Sequence, residues 1–339
     1  MNRILLFFTT FLLLAATSCS KSGGSTPDPV PITPPSTPTI STDSAKSVTT
    51  TTAILGGNVT ADGGATVTTR GICWKADTTS TFSYPTLKDD HNVVCDGTTG
   101  SFSATVANLA PYTKYTFCTY AINKAGISYG KYITFKTPGP TVTDYDGNVY
   151  QTVKIGSQIW MVGNLKVAHY NNGDSIPNVT DQNTWNGLTT GVLCACNNDQ
   201  SNVKTYGYLY NYYVISDPRG ICPSGWHVPS LAEWQTLSQS CGGDAMAGGA
   251  LKETGTTHWD APNTGATNSS GFTALPGGGR VPTGFIALGN SVAFWSTTTF
   301  MGMPTTNHVV GVNSNNSQFY VSNGGDNYPY GDSISLLKN

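Results

Sequence analysis

The side chains that most often carry catalysis are few in this chain and stand in no catalytic pattern. It has five histidines and only two glutamates, Glu233 and Glu253. The histidines do not form the H-E-x-x-H spacing of zinc peptidases, and no G-x-S-x-G segment provides a nucleophile elbow. A glycosidase needs two facing carboxylates, and no motif pairs the aspartates. The sequence therefore predicts a protein that is not an enzyme, with an activity on polysaccharide or sulfatase as the less favoured alternative.

Two short segments have the spacing of ion or phosphate sites. Asp144-x-Asp146-Gly-Asn148 has the spacing found at the start of a calcium-binding loop. Its side chains carry the oxygen atoms that Ca²⁺ prefers as ligands. An EF-hand would need a glutamate where the chain has Ile155, so we interpret the segment as a tight β-hairpin turn, with Ca²⁺ as the alternative. Pro276-Gly-Gly-Gly-Arg280 lacks the Lys-Ser/Thr of a phosphate loop and also predicts a turn. No other cofactor is predicted.

Composition favours strands and loops over helices. The chain has 339 residues, of which 38% are hydrophobic and 11% charged, with 38 glycines and 19 prolines. Soluble domains usually contain about 25% charged residues, so Thr, Ser and Asn must supply the polar surface here. The net charge of −2 provides no basic field for nucleic acid, which we exclude as a partner. The length predicts about two domains.

The N-terminus has the pattern of an export signal. Arg3 precedes the short apolar run Ile4–Leu14, and residues 1–18 end in small side chains just before Cys19. The run is shorter than the roughly 20 apolar residues that span a bilayer. This pattern resembles the lipobox of bacterial lipoproteins, which implies cleavage before Cys19 and acylation of its thiol. The implied protein is an outer-membrane lipoprotein, anchored in the lipid bilayer by its acyl chains.

A spacer follows the predicted anchor. Residues 19–38 contain six prolines and no periodic apolar face, which predicts a disordered or polyproline-like linker. At about 3.1 Å per residue it could lift the first domain about 60 Å from the bilayer. Ser20 and Lys21 supply no acidic export tag, so the cell surface and the periplasmic face both stay open.

Residues 39–138 alternate as β-strands do. Phe102, Ala104 and Val106 fall on one face, and polar residues fall on the other. Further strands are predicted at residues 53–59, 67–75, 114–123 and 131–136, a spacing that predicts a β-sandwich. The segment Leu109–Tyr115 resembles the L-x-P-x-T-x-Y signature of fibronectin type III domains, in a variant common in secreted Bacteroidetes proteins. The resemblance implies that Tyr115 forms a tyrosine corner and that the module is a spacer, with ligand binding as the alternative.

Residues 141–339 carry a longer series of motifs, at Asp144–Tyr150, Ile155–Met161, Tyr206–Asn211, Cys222–Pro229, Gly271–Gly277 and Phe294–Thr297. In this order they resemble the Fibrobacter succinogenes major paralogous domain. The resemblance implies an α+β fold related to C-type-lectin-like and sulfatase-modifying-factor domains. The predicted fold class is therefore mostly β and multi-domain, with a fibronectin III-like sandwich before the lectin-like domain. Asp332 is an unusual charge in the terminal strand and predicts looser packing there.

One helix is predicted within this second module. Ser230 and Glu233 have the spacing of a capping box. Trp234, Leu237 and Cys241 then fall at positions i, i+3 and i+7 on one face, which predicts that this face is buried. The two glycines that follow end the helix.

Seven cysteines remain once Cys19 is assigned to lipid, and an exported protein meets an oxidising environment. Cys73 and Cys118 fall on strands that are neighbours in a fibronectin-like sheet. They are therefore a candidate disulfide, provided that their Cα spacing is suitable. An odd number of cysteines leaves at least one thiol unpaired or linked between chains.

The second module departs from its family at the expected partner of Cys222. The family resemblance implies a cysteine near the C-terminus, where this chain has Leu336. Cys241 is the candidate replacement, and Cys194 or Cys196 are the alternatives. The Cys194-x-Cys196 spacing is too tight for a zinc knuckle.

Two functions are weighed for the chain as an envelope protein. The first is a non-catalytic binding protein that recognises glycan or an extracellular protein in adhesion. An aromatic content of 11% and polar loops such as Asn263–Ser270 and Val312–Gly325 favour it. The second is a structural or fimbria-like component, which an unpaired thiol would favour.

Overall fold

A computed structural model describes residues 33–78, 83–88, 91–299, 306–322, 326–327 and 329–339. The predicted signal segment, Cys19 and most of the predicted linker lie outside the described residues. Within the described ranges, no helix combines the length and the apolar character needed to cross a membrane. The described chain is mostly β, and its strands form several separate sheets.

The N-terminal part consists of eight described strands, which form two antiparallel sheets. They are β1 (Thr39–Thr42), β2 (Ala53–Ala61), β3 (Thr69–Ala76), β4 (Asn92–Cys95), β5 (Gly100–Val106), β6 (Lys114–Asn123), β7 (Gly126–Tyr129) and β8 (Ile133–Lys136). One sheet has the order β1-β2-β5, and the other has the order β4-β3-β6-β7, with β8 also paired to β6. The predicted strand at 114–123 coincides with β6, and the other predicted strands differ from the observed ones by one or two residues at most ends.

The core of this part lies between the two sheets. Phe102 and Ala104 are partly buried and Val106 is buried, whereas the intervening residues of β5 are exposed, so the predicted alternation is confirmed. Leu55, Ile72 and Phe117 belong to the same hydrophobic cluster and are fully buried. Burying such side chains contributes about 1.5–3 kcal/mol each relative to leaving them exposed.

Tyr115 lies at the start of β6 and is buried. Its hydroxyl oxygen accepts a hydrogen bond of 2.8 Å from the backbone N–H of Ala110, five residues upstream. This is the bond that a tyrosine corner makes. It ties the turn before β6 to the strand itself.

The C-terminal part contains the remaining strands and the five described α-helices. The strands are β9 (Val142–Thr143), β10 (Val149–Tyr150), β11 (Thr152–Ile155), β12 (Gln158–Met161), β13 (Leu193–Ala195), β14 (Tyr208–Tyr210), β15 (Trp226–His227), β16 (Gly277–Val281), β17 (Gly284–Leu288), β18 (Ser291–Thr299), β19 (Thr306–Asn313), β20 (Tyr320–Val321), β21 (Asp326–Asn327) and β22 (Leu337–Lys338). The helices are α1 (Gln182–Gly187), α2 (Val203–Tyr206), α3 (Tyr212–Ser216), α4 (Leu231–Ser240) and α5 (Asp244–Leu251).

The largest sheet of this part has the order β17-β16-β18-β19-β20, with β21 paired to β19. A four-stranded sheet, β11-β12-β22-β15, joins the start of the C-terminal part to its end. Val292 and Phe294 of β18 face one hydrophobic cluster, which also contains Trp234 of α4. Trp295 and Val309 belong to a second cluster on the other face of the sheet. The sheet is therefore packed on both faces over part of its length.

Helix α4 begins as the sequence predicts. The Ser230 hydroxyl accepts from the Glu233 N–H, and the Glu233 carboxylate accepts from the Ser230 N–H, so both halves of the capping box are present. Partial burial raises the pKa of Glu233, but hydrogen bonds from Ser230 and His227 outweigh it and hold this pKa below its usual value. Trp234 and Leu237 are buried, whereas Cys241 is only partly buried and caps the C-terminal end. Glu233 is therefore an ionised cap.

The terminal segment packs more tightly than its charge predicts. All residues from Gly331 to Leu337 are buried. The backbone of Asp332 exchanges hydrogen bonds with that of Tyr210, at 3.1 and 3.0 Å. The charge of Asp332 does not prevent tight packing, because backbone hydrogen bonds hold the segment between neighbouring strands.

Candidate ligand-binding groove

A groove of about 230 Å³ lies on the large sheet of the C-terminal part. We call it the sheet groove. Its walls come from β16, β17, β18, β19 and β20 and from the terminal segment. It is lined by Gly278, Gly279, Val281, Ile286, Ser291, Ala293, Val309, Tyr320, Ser322, Tyr330 and Asp332. Pockets for drug-sized ligands span about 300–1,000 Å³, so this groove suits a small ligand or one unit of a longer chain.

The carboxylate of Asp332 is the charged group of the sheet groove. Its residue is only 4% exposed. The backbone on either side is fixed to two strands: Gly331 exchanges hydrogen bonds of 2.8 Å with Arg280 of β16, and Ser333 donates to Ala293 of β18 at 3.0 Å. A carboxylate on so rigid a backbone is already oriented before a ligand arrives.

Two glycines of β16 make room for this carboxylate and for the neighbouring strand. A Cβ added at Gly279 would lie 3.2 Å from Asp332 Oδ1, and one added at Gly278 would lie 2.4 Å from the Ile286 carbonyl oxygen. Gly278 also has a φ of +66°, which side chains rarely adopt. The prediction that residues 276–280 form a turn is wrong, because these glycines form a strand that pairs with β17.

Two tyrosines supply the aromatic surface of the sheet groove. The Tyr320 ring reaches over β19 above Gly311, where an added Cβ would lie 2.4 Å from the Tyr320 hydroxyl. Tyr330 precedes the terminal segment and packs against the second cluster, and both rings are partly buried. Aromatic faces bind C–H groups, and a carboxylate accepts hydrogen bonds from hydroxyl or amine donors. No lysine, arginine or histidine is among the described lining residues, so the sheet groove favours neutral or cationic ligands.

Arg280 anchors the strand that carries these glycines. Its guanidinium is buried and donates to the carbonyls of Val179 and Thr180, at 2.6 and 2.9 Å, and to the side-chain oxygen of Gln182. It also stacks 4.4 Å from the centre of the Trp185 ring. These bonds hold the buried guanidinium within the protein, so Arg280 positions β16.

The candidate calcium segment is the hairpin turn between β9 and β10. Asp144 accepts hydrogen bonds from the side chain of Asn148 and from the Tyr150 hydroxyl, the latter at 2.7 Å. Asp146 instead bonds to His169, at 2.5 Å. The two carboxylates serve different partners, and no group of three or more His, Cys, Asp or Glu residues is placed for a metal within the described residues. The segment is a turn between the paired strands β9 and β10, closed by the bond from the Gly147 N–H to the Asp144 carbonyl.

The remaining histidine–carboxylate contacts are also separate pairs. His227 lies 2.9 Å from the capping Glu233, and His258 lies 2.8 Å from Glu253. Neither pair lines the sheet groove. Within the described residues, each imidazole thus contacts one carboxylate in its own region of the surface.

The cysteine predictions have different outcomes. Cys73 and Cys118 lie directly opposite each other on β3 and β6, and both are fully buried. Their sulfur atoms are 3.5 Å apart, which is a hydrogen-bonding distance and far from the roughly 2.05 Å of a disulfide. The two residues are neighbours, as the candidate disulfide requires, but the structure shows two thiols and no disulfide.

The predicted Cys222–Cys241 disulfide is wrong. Cys222 packs against the cluster that contains Leu336, whereas Cys241 packs against the cluster around Trp234. The alternative partners Cys194 and Cys196 lie in a third cluster. No disulfide links the seven cysteines in the described part of the chain. The family resemblance implied a second cysteine at position 336, where this chain instead has the buried apolar side chain of Leu336.

Sequence reasoning identified the sheet groove only in part. The polar loop Val312–Gly325 was a candidate for glycan contact, and its residues Tyr320 and Ser322 line the groove. The other candidate loop, Asn263–Ser270, does not. Asp332 drew attention only as an unusual charge. A lone carboxylate in this terminal segment was, with that loop, the sequence signal that pointed to the site.

The fold and the sheet groove together define a mostly β protein of several sheets with a preformed concave surface in its C-terminal part. The chain belongs to the Fibrobacter succinogenes major domain family, whose model matches residues 153–334. This confirms the family resemblance of the second module. The comparison with curated proteins found no match.

Some solved structures are similar to parts of the chain. The sensor domain of the anti-sigma factor RsgI4 from Pseudobacteroides cellulosolvens, in its short form, is 22% identical and covers 31% of this chain and 98% of its own, with a TM-score of 0.24. Its solution structure is 21% identical, covers 30% and 74%, and has a TM-score of 0.23. Domains of titin are 20% identical, cover 30% and 32%, and have a TM-score of 0.21. These similarities are too low to bear on function.

Proposed function

We propose that this protein is a non-catalytic, glycan-binding protein of the bacterial cell envelope, and that the sheet groove is its binding site. The observation that carries the proposal is the buried Asp332 carboxylate in a concave surface that also presents Tyr320 and Tyr330. A neutral saccharide suits this combination. Its hydroxyls would donate to the carboxylate, and its C–H face would pack on a tyrosine ring.

The charges of the sheet groove argue for binding over hydrolysis. Glycoside hydrolysis uses two carboxyl groups that flank the scissile bond, about 5–9.5 Å apart. Asp332 is the one carboxylate among the described residues that line the groove. Both glutamates of the chain lie elsewhere, Glu233 in the α4 cap and Glu253 beside His258. The groove therefore has an acceptor for a hydroxyl and lacks a partner acid.

The test of this function is glycan binding by the full-length protein and its Asp332→Asn variant. Asparagine keeps the size of the side chain but removes the charge, and charge-assisted hydrogen bonds are roughly twice as strong as neutral ones. We expect a glycan array to identify neutral ligands, and titration calorimetry to show at least about tenfold weaker binding by the variant, or about 1.4 kcal/mol. Tyr330→Ala should weaken binding as well.

Asp43→Asn is the matched control, because Asp43 is exposed and lies in the N-terminal part. It should bind like the unmodified protein. Unchanged affinity in a folded Asp332→Asn protein would exclude the sheet groove as the site. Blank arrays for glycans and for matrix proteins would exclude the adhesion function and favour the structural, fimbria-like alternative.

We also propose that the two parts are the predicted modules, with residues 39–138 fibronectin III-like and residues 141–339 C-type-lectin-like. Two observations support the first assignment. The N-terminal part has one sheet of three strands and a second sheet built on β3 and β6, and Tyr115 makes its hydrogen bond with Ala110. Each of the described sheets and clusters lies wholly within one part, as expected of separate domains. The N-terminal module would act as a spacer.

The envelope location rests on the sequence around Cys19. We propose that residues 1–18 are removed, that Cys19 carries the acyl chains, and that residues 19–38 form the linker to the outer membrane. Cys19→Ala should abolish incorporation of radiolabelled palmitate and release the protein from the membrane fraction, since acyl chains hold the anchor at about 0.8 kcal/mol per buried CH₂. A palmitate-labelled Cys19→Ala protein would contradict the assignment, and protease shaving of whole cells would identify the exposed face.

A further inference from the structure

A crevice runs between the N-terminal and C-terminal parts where the chain passes from β8 to β11. The Tyr112 hydroxyl lies 2.6 Å from the Thr152 hydroxyl, which in turn donates to the Pro140 carbonyl, so this hydrogen-bonded chain joins the two parts. The Tyr112 ring occupies the space that a side chain at Gly139 would need. These contacts give the crevice a defined shape.

The crevice has an apolar end and a polar end. The apolar end has a volume of about 330 Å³ and is lined mainly by Tyr112, Pro138, Val153 and Val162. The polar end has a volume of about 230 Å³, and Lys136 lines both ends. Ligand sites are common at the boundary between domains, where both parts contribute groups.

The polar end carries positive charge without a compensating carboxylate. Its polar side chains are those of Lys136, Lys154, Ser240, Ser269 and Ser270, and no aspartate or glutamate is among its described lining residues. Neither lysine forms an ion pair within the described residues. In a chain with only 17 lysines and arginines, two lysines and three serines that line one end of a crevice are a local concentration of hydrogen-bond donors.

The end of helix α4 does not cancel this charge. Carbonyl groups at a helix C-terminus carry partial negative charge and would oppose an anion. Here the N–H groups of Cys241, Gly242 and Gly243 donate back to the carbonyls of the last turn. These Schellman-like hydrogen bonds satisfy carbonyl groups at the end of α4. The lysines and serines are therefore the dominant polar groups of the polar end.

We infer that the crevice is a second binding site, which takes a ligand with a sulfate or phosphate group. The oxyanion would lie between Lys136 and Lys154 and accept hydrogen bonds from the serine hydroxyls, and an uncharged portion of the ligand would extend along Tyr112. The site requires both parts of the chain, because Lys136 comes from β8 and Lys154 from β11. It is separate from the sheet groove, whose carboxylate disfavours anions.

The test is an NMR titration of the full-length protein in chloride-free buffer, with inorganic sulfate and inorganic phosphate added separately. We expect saturable shifts at crevice residues, and at least fivefold weaker binding by the double variant Lys136→Gln/Lys154→Gln. Added chloride should weaken binding, because exposed charges are screened. The stronger of the two ions identifies sulfate or phosphate as the natural group.

Lys131→Gln is the matched control, because Lys131 is exposed and lies outside the crevice. It should bind both ions as the unmodified protein does, and so should Asp332→Asn, which disables only the sheet groove. Absence of saturable shifts with either ion, or equal binding by a folded double variant, would overturn the inference. Because the probes are simple anions, failure here is distinguishable from failure of glycan binding in the groove.

Discussion

Replacing Lys252 with methionine should lower the free energy of unfolding by about 2–4 kcal/mol. Lys252 directly follows α5 and is fully buried. Its ammonium donates to the carbonyl oxygens of Thr264, Asn313 and Asn316, each at 2.9 Å, so it joins two loops that are distant in sequence. Methionine has a similar length but no donor, and the three carbonyl acceptors would lose the buried ammonium that they share. Urea denaturation followed by tryptophan fluorescence measures the change.

Lys204→Met is the control for this prediction. Lys204 lies on α2 and is exposed, so its replacement should change the stability by less than about 0.5 kcal/mol. If Lys252→Met were equally harmless, the three carbonyl contacts would not be a source of stability.

The same two proteins should differ in their response to pH. Burial lowers the pKa of Lys252 to about 8, whereas a lysine in an unfolded chain titrates near about 10.4. Between these values the folded protein binds fewer protons than the unfolded chain, so its stability should rise as the pH increases from about 8 to about 10. Below a pH of about 8, Lys252 is protonated in both the folded and the unfolded protein, so its contribution to the stability does not change with pH. Lys252→Met should lack the rise.

Oxidative refolding should link Cys73 to Cys118 and raise the free energy of unfolding by about 4 kcal/mol. The two residues are register partners on neighbouring strands, and their sulfur atoms are already 3.5 Å apart. A bond between them would close a loop between residues 45 positions apart in the unfolded chain and so reduce its conformational entropy. Oxidised glutathione would accept the two electrons and two protons and leave as two reduced molecules.

The folded, reduced protein should react slowly with the same oxidant. The hydrogen bond from Cys73 and burial both raise the pKa of the Cys118 thiol, and only the thiolate attacks a disulfide. Peptide mass mapping without reduction detects the link, and Cys73→Ala should show no stability difference between oxidising and reducing conditions. Alkylation of both cysteines after oxidative refolding would contradict the prediction.

The two proposed sites differ in charge and in how the chain builds them. The sheet groove uses one carboxylate within the C-terminal part, whereas the crevice uses two lysines from different parts. A ligand that binds one site should bind the other poorly. The carboxylate of the sheet groove repels the anionic group that the crevice lysines attract, and such repulsion is strongest where solvent is partly excluded. Binding of a saccharide in the groove and of an anionic group in the crevice would allow simultaneous contact with two portions of a surface polymer.

Features that depend on residues close in sequence could be predicted without the structure. The capping box at Ser230 and Glu233 involves positions three apart, and the hydrogen bond of Tyr115 reaches only five residues back. The alternation in β5 and the extent of β6 depend on a period of two residues. Such patterns act through the local backbone, so the rest of the chain need not be known. The pair Cys73–Cys118 was proposed because the fibronectin resemblance implied that the two strands are neighbours, and they are register partners in the structure.

Features that depend on distant residues were missed or wrongly predicted. The glycines at 277–279 predict a turn by composition, yet they form a strand because residues 284–288 pair with them. Ile286 and Asp332 leave little room for side chains at Gly278 and Gly279. The Cys222–Cys241 disulfide was wrong because the two sulfurs pack against different clusters. In each case the deciding neighbour comes from another segment of the chain.

The sequence by itself determined the family, the strand-rich character of the chain, the start of its main helix and the pair of opposed thiols. Only the tertiary structure decided that Asp332 lines a groove with Tyr320, that Lys136 and Lys154 share a crevice, and that Lys252 joins two loops. The physical reason is the same for all three. Burial and convergence of polar groups depend on which distant segments the packing brings together, whereas caps, turns and alternation depend on the covalent neighbourhood alone.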